Sequence, residues 1–130
     1  SMNIPDELMY TKTHEWVKKI SPTEVVFGIT DFAQQQLKDV VFVELPSIGK
    51  ELKIGAHCAV VESVKAAYDI FSPLSGKVTK INQKIQNNAQ LVNEDPYGEG
   101  WFLQMEISNP AEYNSLLTSS QYRVVSESVH

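Results

Sequence analysis

The sequence consists of many short runs of β-branched and aromatic residues, and each run ends within a few positions at glycine, proline, asparagine or serine. Runs of this composition are typical of β-strands, and the residues that end them are typical of turns. Many short strands joined by such turns predict a β-sandwich or barrel. The predicted strands cover residues 14–20, 24–29, 40–45, 51–53, 59–61, 68–71, 77–82 and 101–107.

Helical signals are short and lie between or after these strands. Thr30 and Asp31 offer an N-cap to the first helix, and Asn109 followed by Pro110 begins the second. We therefore expect a mostly β fold with short peripheral helices, the C-terminal ones near residues 110–127. The predicted helices cover residues 32–37, 111–117 and 119–127, and residues 89–92 fit either a short helix or a strand.

The chain of 130 residues is near the commonest size of one domain, and no linker or low-complexity segment divides it. We expect a single domain over residues 1–130, with flexible ends at 1–5 and 128–130. A weak echo relates Lys53-Ile54 and Val60-Val61 to Lys84-Ile85 and Leu91-Val92, each 31 positions later. It suggests two similar half-units packed on either side of the central part of the chain.

Composition limits the classes of function. Eleven basic and sixteen acidic side chains give a net charge of −5, which argues against nucleic-acid binding. No apolar run approaches the roughly 18 residues of a membrane span, and the short acidic N-terminal stretch is unlike a signal peptide. The lone Cys58 excludes an internal disulfide and suits a reducing compartment.

The most informative local pattern is a predicted hairpin over residues 58–76. Its tip holds the small residues Ser63, Ala66 and Ala67, which let another protein approach the backbone closely. Lys65 lies near the middle of the tip, with a free ammonium group on a mobile stem. The hairpin alone leaves two interpretations open, a merely solvated charge or a lysine that is presented to a partner.

Patterns typical of catalysis and metal binding are missing from the sequence. It contains no glycine-rich phosphate loop and no G-x-S-x-G elbow. His14, His57 and His130 lack metal-ligand spacing with one another and with Cys58, which we interpret as a buried, inert thiol. We expect no catalytic residue and no metal site, and Lys65 remains the most informative residue.

Six stretches of the chain carry a family resemblance. They are Tyr10 with His14-Glu15-Trp16, Gly28–Asp31, Asp39–Pro46, Glu62–Ala66, Ser72–Gly76 and Asn93–Trp101. In this order, from about residue 6 to residue 125, they resemble the H proteins of the glycine cleavage system. Biotin carriers resemble the same fold, but they have methionine on each side of the lysine, where this chain has Val64 and Ala66.

The resemblance implies a lipoyl carrier with a flattened barrel-sandwich hybrid fold. Lipoic acid would be joined to the ε-nitrogen of Lys65 as N6-lipoyllysine, which gives an arm of roughly 14 Å. The arm would end in a strained, readily reducible disulfide. Glu62, Ser63, Val64 and Ala66 would form the turn that the attaching enzyme recognises.

The resemblance also implies a shuttle that is not itself an enzyme. It would carry an aminomethyl group from pyridoxal-phosphate glycine decarboxylase (P protein) to the tetrahydrofolate-dependent aminomethyltransferase (T protein). Dihydrolipoyl dehydrogenase (L protein) would reoxidise it, and a lipoate ligase or a lipoyl/octanoyl transferase would attach the cofactor. Thr13, Glu15 and Asp69 would dock the cationic end of the loaded arm. We expect no nucleic-acid or membrane partner.

The same resemblance leaves some points open. The location would be the bacterial cytoplasm, or the mitochondrial matrix for a mature eukaryotic form. The chain could instead be a lipoyl donor in lipoate metabolism, or an interaction module with an unmodified lysine. Lys38 stands where a glycine commonly precedes Asp39, which leaves the geometry of the helix end in doubt. Phe32 stands where many relatives have His or Tyr, so a polar contribution is missing there.

Overall fold

The structure is a computed structural model, and it describes residues 2–128. Within these residues, nine strands form two antiparallel sheets that do not close into a barrel. The predicted mostly β sandwich is therefore confirmed. The strands are β1 (Met9–Tyr10), β2 (Glu15–Lys19), β3 (Glu24–Ile29), β4 (Val40–Glu44), β5 (Glu51–Leu52), β6 (His57–Ser63), β7 (Ala67–Phe71), β8 (Gly76–Ile81) and β9 (Leu103–Ile107).

Short helices lie around the sheets. The longest has nine residues, and in the part of the chain that the structure describes no helix is long and apolar enough to cross a membrane. Thr30 caps the first helix, as the sequence predicts, by accepting a hydrogen bond from the N–H of Ala33. The helices are α1 (Asp31–Leu37), α2 (Gln83–Asn87), α3 (Leu91–Glu94), a 3-10 helix (Pro110–Ser115) and α4 (Ser119–Glu127).

The core lies between a large sheet and a small one. The large sheet has the strand order β1-β2-β3-β9-β8-β5, and the small sheet has the order β4-β6-β7. Val17, Phe27, Val61 and Leu103 are fully buried between them. Because side chains alternate along a strand, these residues face inward and their neighbours face solvent or the peripheral helices.

A second apolar cluster covers the outer face of the large sheet. Tyr10 and Tyr122 stack with their ring centroids 4.7 Å apart, which joins β1 to α4. Trp16 lies across Gly28 on the neighbouring strand, and a Cβ atom at position 28 would lie 2.9 Å from the indole nitrogen. Only glycine therefore fits beneath this tryptophan.

The N-terminal stretch is held against the same cluster. Ile4 is buried, the N–H of Asn3 donates to Asp31, and the hydroxyl of Tyr10 donates to the carbonyl of Pro5. The predicted flexible ends include residues 1, 129 and 130, which lie outside the described residues.

At three places the structure adds to the local predictions, alters them or decides between their alternatives. Helix α2 follows β8 because Asn82 caps it, a signal that the alternating pattern of β8 obscured. The predicted helix over 111–117 is a 3-10 helix that ends at Ser115, since Leu117 pairs with the backbone of Tyr10 through two hydrogen bonds of 2.7 and 2.8 Å. Residues 89–92 lead into α3 and form no strand.

The predicted pair of similar half-units is wrong. Lys53-Ile54 lies in the turn between β5 and β6, whereas Lys84-Ile85 lies in α2. The matching residues therefore have different backbone conformations, and they differ in burial too, since Ile54 is exposed and Ile85 is fully buried.

Candidate functional site

The site begins at the tip of the hairpin formed by β6 and β7. Glu62 lies opposite Ala67, and Val64, Lys65 and Ala66 form the exposed connection. The hydroxyl oxygen of Ser63 accepts the backbone N–H groups of Lys65 (3.1 Å) and Ala66 (3.3 Å). Ser63 therefore organises the turn from within, since its oxygen satisfies two amides that have no strand partner.

The side chain of Lys65 points toward the end of α1. Its Nζ donates to the backbone carbonyl of Gln36 at 3.3 Å. The last carbonyls of a helix carry partial negative charge, which favours an ammonium group at this place. Lys65 thus lies beside the wall of a cleft that Gln36 also lines.

This α1 cleft has a volume of about 240 Å³ and separates α1 from β7. Its wall is mostly apolar, with a few polar groups. The lining residues are Thr13, His14, Ile29, Phe32, Ala33, Gln36, Leu37, Tyr68, Asp69 and Ile70.

A second cleft, here named the Glu15 cleft, has a volume of about 390 Å³. Thr13 lines both clefts, so they adjoin at this residue. Glu15 is 1% exposed and brings a carboxyl group to a wall that is otherwise largely apolar. The other lining residues are Tyr10, Thr11, Lys12, Ile54, Gly55, Phe71, Ser72, Pro73, Ser115, Leu116 and Leu117.

A tight turn brings two hydroxyl groups to the Glu15 carboxyl. The backbone N–H of Thr11 donates to the carbonyl of Glu15, and His14 takes a positive φ of 75° between them. The hydroxyls of Thr11 and Thr13 each donate to Oε1 of Glu15 at 2.5 Å. The N–H of Phe71 donates to Oε2 at 3.5 Å.

Burial raises the pKa of the Glu15 carboxyl to about 7, although the hydroxyls of Thr11 and Thr13 and the amide of Phe71 favour the charged form. Desolvation is the larger effect because water has almost no access to the group. A carboxyl with this pKa exchanges its proton near neutral pH and responds to a nearby positive charge.

The structure brings only part of the predicted docking group together. Thr13 contacts Glu15 directly, whereas the exposed carboxylate of Asp69 binds Nε2 of His57 at 3.1 Å. Asp69 still lines the α1 cleft with Thr13. Any role of Asp69 in docking therefore competes with its contact to His57.

The outer face of the small sheet surrounds the lysine turn with acidic and apolar groups. The strand register puts Phe42 opposite Glu62, and Glu44 and Asp69 flank Val60 on the same face. Phe42 is 47% exposed, and the nearby Val41 and Val64 are also exposed. A protein that binds the turn would contact this mixture of carboxylates and apolar side chains.

Phe32 fills the place where a polar residue was expected from the family pattern. Its ring packs on the ring of His14 with the centroids 4.7 Å apart. Burial lowers the pKa of His14, whose Nδ1 lies 2.8 Å from the hydroxyl of Tyr122. This part of the α1 cleft wall is therefore uncharged at neutral pH.

Sequence reasoning missed three residues of the site. Thr11 completes the hydroxyl pair around Glu15, Gln36 contacts Lys65, and His57 holds Asp69. The T-x-T-x-E spacing of residues 11–15 is a local signal that could have indicated Thr11. His57 and Gln36 are identified only by contacts between distant parts of the chain.

Other reactive groups are weak candidates. Burial raises the pKa of the Cys58 thiol to about 12, so the thiol is not activated. Among residues 2–128, no group of three or more His, Cys, Asp or Glu side chains could hold a metal ion.

Comparison with known proteins identifies the family. The family model described as Glycine cleavage H-protein matches residues 8–129. The chain belongs to the H-protein family. H proteins are the lipoyl-bearing shuttles of the glycine cleavage system and are not themselves catalytic. The chain therefore functions with the other components of that system.

Individual H proteins match along most of their length. The glycine cleavage system H protein of Symbiobacterium thermophilum is 52% identical over 120 residues, which cover 92% of this chain and 93% of the relative. That of Coprothermobacter proteolyticus is 46% identical over 122 residues, with coverage of 94% and 96%. The crystal structure of the H protein from Mycobacterium marinum superposes with a TM-score of 0.85 at 34% identity, covering 93% of this chain and 97% of that one.

Proposed function

We propose that Lys65 carries the lipoyl group of this chain. The observation that supports the proposal is the placement of Lys65 at an exposed, ordered turn with its Nζ beside the α1 cleft. An attaching enzyme can reach such an amine, and a group joined to it would start next to a largely apolar cleft. When bound, lipoic acid would supply a disulfide that accepts and releases cargo by reduction and reoxidation.

We propose that the residues around Glu15 shelter the cationic cargo. The carboxylate of Glu15 would accept hydrogen bonds from an ammonium group, and the hydroxyls of Thr11 and Thr13 would keep Oε1 oriented. Because the pKa of Glu15 is about 7, an approaching cation would favour loss of its proton. The apolar walls of the clefts would limit access of water.

Asp69 has a secondary part in this proposal. Its carboxylate lines the α1 cleft but already binds His57 at 3.1 Å. We propose that it adds negative charge to the path of the arm, with His57 as its resting partner.

The individual partner enzymes are also part of the proposal. Glycine decarboxylase, the aminomethyltransferase and dihydrolipoyl dehydrogenase would act on the carried group in turn. A lipoate ligase or a lipoyl/octanoyl transferase would recognise Glu62, Ser63, Val64 and Ala66. The bacterial sources of the relatives support a cytoplasmic location.

The direct test compares wild type with Lys65→Arg. Wild type isolated from its native cell should contain a fraction heavier by one lipoyl group, which peptide mapping should locate on Lys65. Lys65→Arg keeps the charge but cannot be acylated by the attaching enzyme, so it should support no turnover in a reconstituted glycine cleavage assay. Turnover by this variant, or a lipoyl group on another residue, would overturn the proposal.

The docking proposal has a separate test. Glu15→Gln and Asp69→Asn should be lipoylated and reoxidised at wild-type rates, because neither step involves the cationic cargo. Loaded Glu15→Gln should release formaldehyde faster than loaded wild type when the aminomethyltransferase is omitted, and Asp69→Asn should show a smaller increase. Glu51→Gln is the matched control, since Glu51 lies on β5 outside both cleft linings. Release at the wild-type rate from both site variants would show that these residues give no shelter.

A further inference from the structure

Asn93 holds the corner between α1 and β4 with three side-chain hydrogen bonds. Its Oδ1 accepts the backbone N–H of Val40 at 2.9 Å, and its Nδ2 donates to the carbonyl of Lys38 at 2.7 Å and to Oε1 of Gln34 at 3.1 Å. The side-chain amide thus binds two main-chain groups on either side of Asp39, the N–H of Val40 and the carbonyl of Lys38. Without it, these backbone groups would lose their partner at the point where helix changes to strand.

The corner that Asn93 holds has an unfavourable backbone conformation. Lys38 has φ 64° and ψ −150°, a region that glycine adopts readily and residues with a Cβ atom rarely adopt. Such a conformation persists only where surrounding contacts impose it. The two main-chain hydrogen bonds of Asn93, to Lys38 and Val40, are contacts of this kind.

The corner in turn contacts the lysine turn. The carbonyl of Asp39 accepts the backbone N–H of Val64 at 3.0 Å, and Val40 lies opposite Ser63 in the sheet. Ser63 then binds the amide of Lys65. Hydrogen bonds, joined by short stretches of main chain, therefore connect Asn93 to the backbone of Lys65.

Helix α3 gives Asn93 a fixed base. Its Val92 is fully buried in the main core, and the indole N–H of Trp16 donates to the carbonyl of Pro96 just after the helix at 2.9 Å. The corner is thus fastened to the core of the molecule from outside the small sheet.

We propose that Asn93 is a positioning residue for the lysine turn, because it fixes the α1–β4 corner whose Asp39 carbonyl holds Val64. The inference rests on the proposed acylation of Lys65 for its functional consequence. An attaching enzyme that binds a loosened turn must order it first, and this ordering weakens binding. Loss of Asn93 therefore raises KM for the protein substrate and leaves kcat near its wild-type value.

The experiment measures turn order and acylation on the same full-length variants. In Asn93→Ala, the Val64 amide should exchange with solvent at least tenfold faster than in wild type, while amides in the β3–β9 ladder keep their protection. With a purified lipoate ligase, lipoic acid and ATP, KM for the variant should rise about five- to tenfold. Asn87→Ala is the matched control, since Asn87 is an exposed asparagine on α2.

A second substitution separates positioning from general damage. Glycine adopts the Lys38 conformation without a steric penalty. Lys38→Gly added to Asn93→Ala should therefore lower KM most of the way to the wild-type value and restore most of the protection of the Val64 amide. If Asn93→Ala does not fold, Asn93→Asp replaces it, because the carboxylate keeps the acceptor for Val40 but loses the donor to Lys38.

Two measurements, the exchange of the Val64 amide and KM for acylation, decide the proposal. Unchanged Val64 exchange and unchanged KM in the Asn93 variant overturn the proposal, as does a fall in kcat alone. If wild type itself is not acylated at Lys65, the proposed function fails, while the exchange of Val64 still decides whether Asn93 orders the turn.

Discussion

Glu15 carries a buried carboxyl group whose protonation is set by competing effects. Desolvation raises its pKa from 4.5 to about 7 against the opposing hydrogen bonds of Thr11 and Thr13. The folded protein therefore binds this proton more tightly than the unfolded chain does. Between pH 4.5 and 7, raising the pH ionises Glu15 in the unfolded chain first and so costs stability.

We expect Glu15→Gln to remove this pH dependence. Below pH 4.5 Glu15 is neutral in the folded protein and in the unfolded chain. Above pH 7 the free energy of unfolding of wild type is lower than at acidic pH by up to roughly 3 kcal/mol. The variant should thus gain stability relative to wild type as the pH rises from 4.5 to 8. Urea unfolding at intervals across this range measures the difference. A constant difference at all pH values would contradict the raised pKa.

Glu62 lies at the start of the lysine turn and is exposed, with Phe42 opposite it on β4. We expect Glu62→Gln to lower kcat/KM for lipoylation about fivefold, because a charge-assisted contact with the attaching enzyme would be lost. Protein loaded beforehand should stay fully active. Glu44→Gln on the same sheet face is the control, and equal effects of both changes would point to general attraction by negative charge.

At the scale of elements, α1 ends where the main chain must turn sharply into β4. The turn uses a positive φ at Lys38, a position at which glycine would be relaxed. The strain is tolerated because Asn93 and the sheet hold both sides of the corner. The end of α1 also lines the cleft, so the geometry of this corner affects the wall next to Lys65.

Lys38→Gly should stabilise the protein by about 1 kcal/mol. Relief of an unfavourable backbone conformation is worth roughly 1–3 kcal/mol, and the greater freedom of glycine in the unfolded chain offsets part of it. Thermal or urea unfolding measures the gain, with Lys38→Ala as the comparison. A gain of the same size from alanine would attribute the effect to the lost lysine side chain.

At the scale of the whole molecule, Tyr122 joins the C-terminal helix to the site. Its hydroxyl lies 2.7 Å from the hydroxyl of Thr30, the N-cap of α1, and 2.8 Å from Nδ1 of His14. Its ring stacks on Tyr10 in the second cluster. The outer cluster therefore supports two walls of the α1 cleft, although α4 is remote from Lys65 in sequence.

Tyr122→Phe keeps the ring and removes this shared hydroxyl. We expect a loss of about 1–2 kcal/mol, because Thr30 and His14 lose a buried partner. Val124→Ala in the same helix is the control, since Val124 is 67% exposed and should change stability by under about 0.5 kcal/mol. Equal losses of stability in both variants would indicate that the Tyr122 hydroxyl has no specific role and that any change in α4 has the same effect.

The sequence alone predicts eight of the nine strands between residues 2 and 128, the central hairpin and the place of Lys65 at its tip. It does not predict β1, whose two residues are too few to show a strand pattern. The predicted features depend on residues that are neighbours in sequence: alternation marks β8, and turn residues bound each strand. The six family stretches, in their order along the chain, indicate Lys65 as the candidate for acylation. Helix α2 was missed because its single turn follows directly on a strand pattern.

The chemistry of the site depends on contacts that form only when the chain folds. Phe71 reaches Glu15 across 56 positions, Asn93 reaches Lys38 across 55, and Tyr122 reaches Thr30 across 92. The raised pKa of Glu15 likewise comes from burial by both sheets and the segments around them. Local patterns carry no record of which distant groups meet, because burial and hydrogen bonding between them arise only when the whole chain packs.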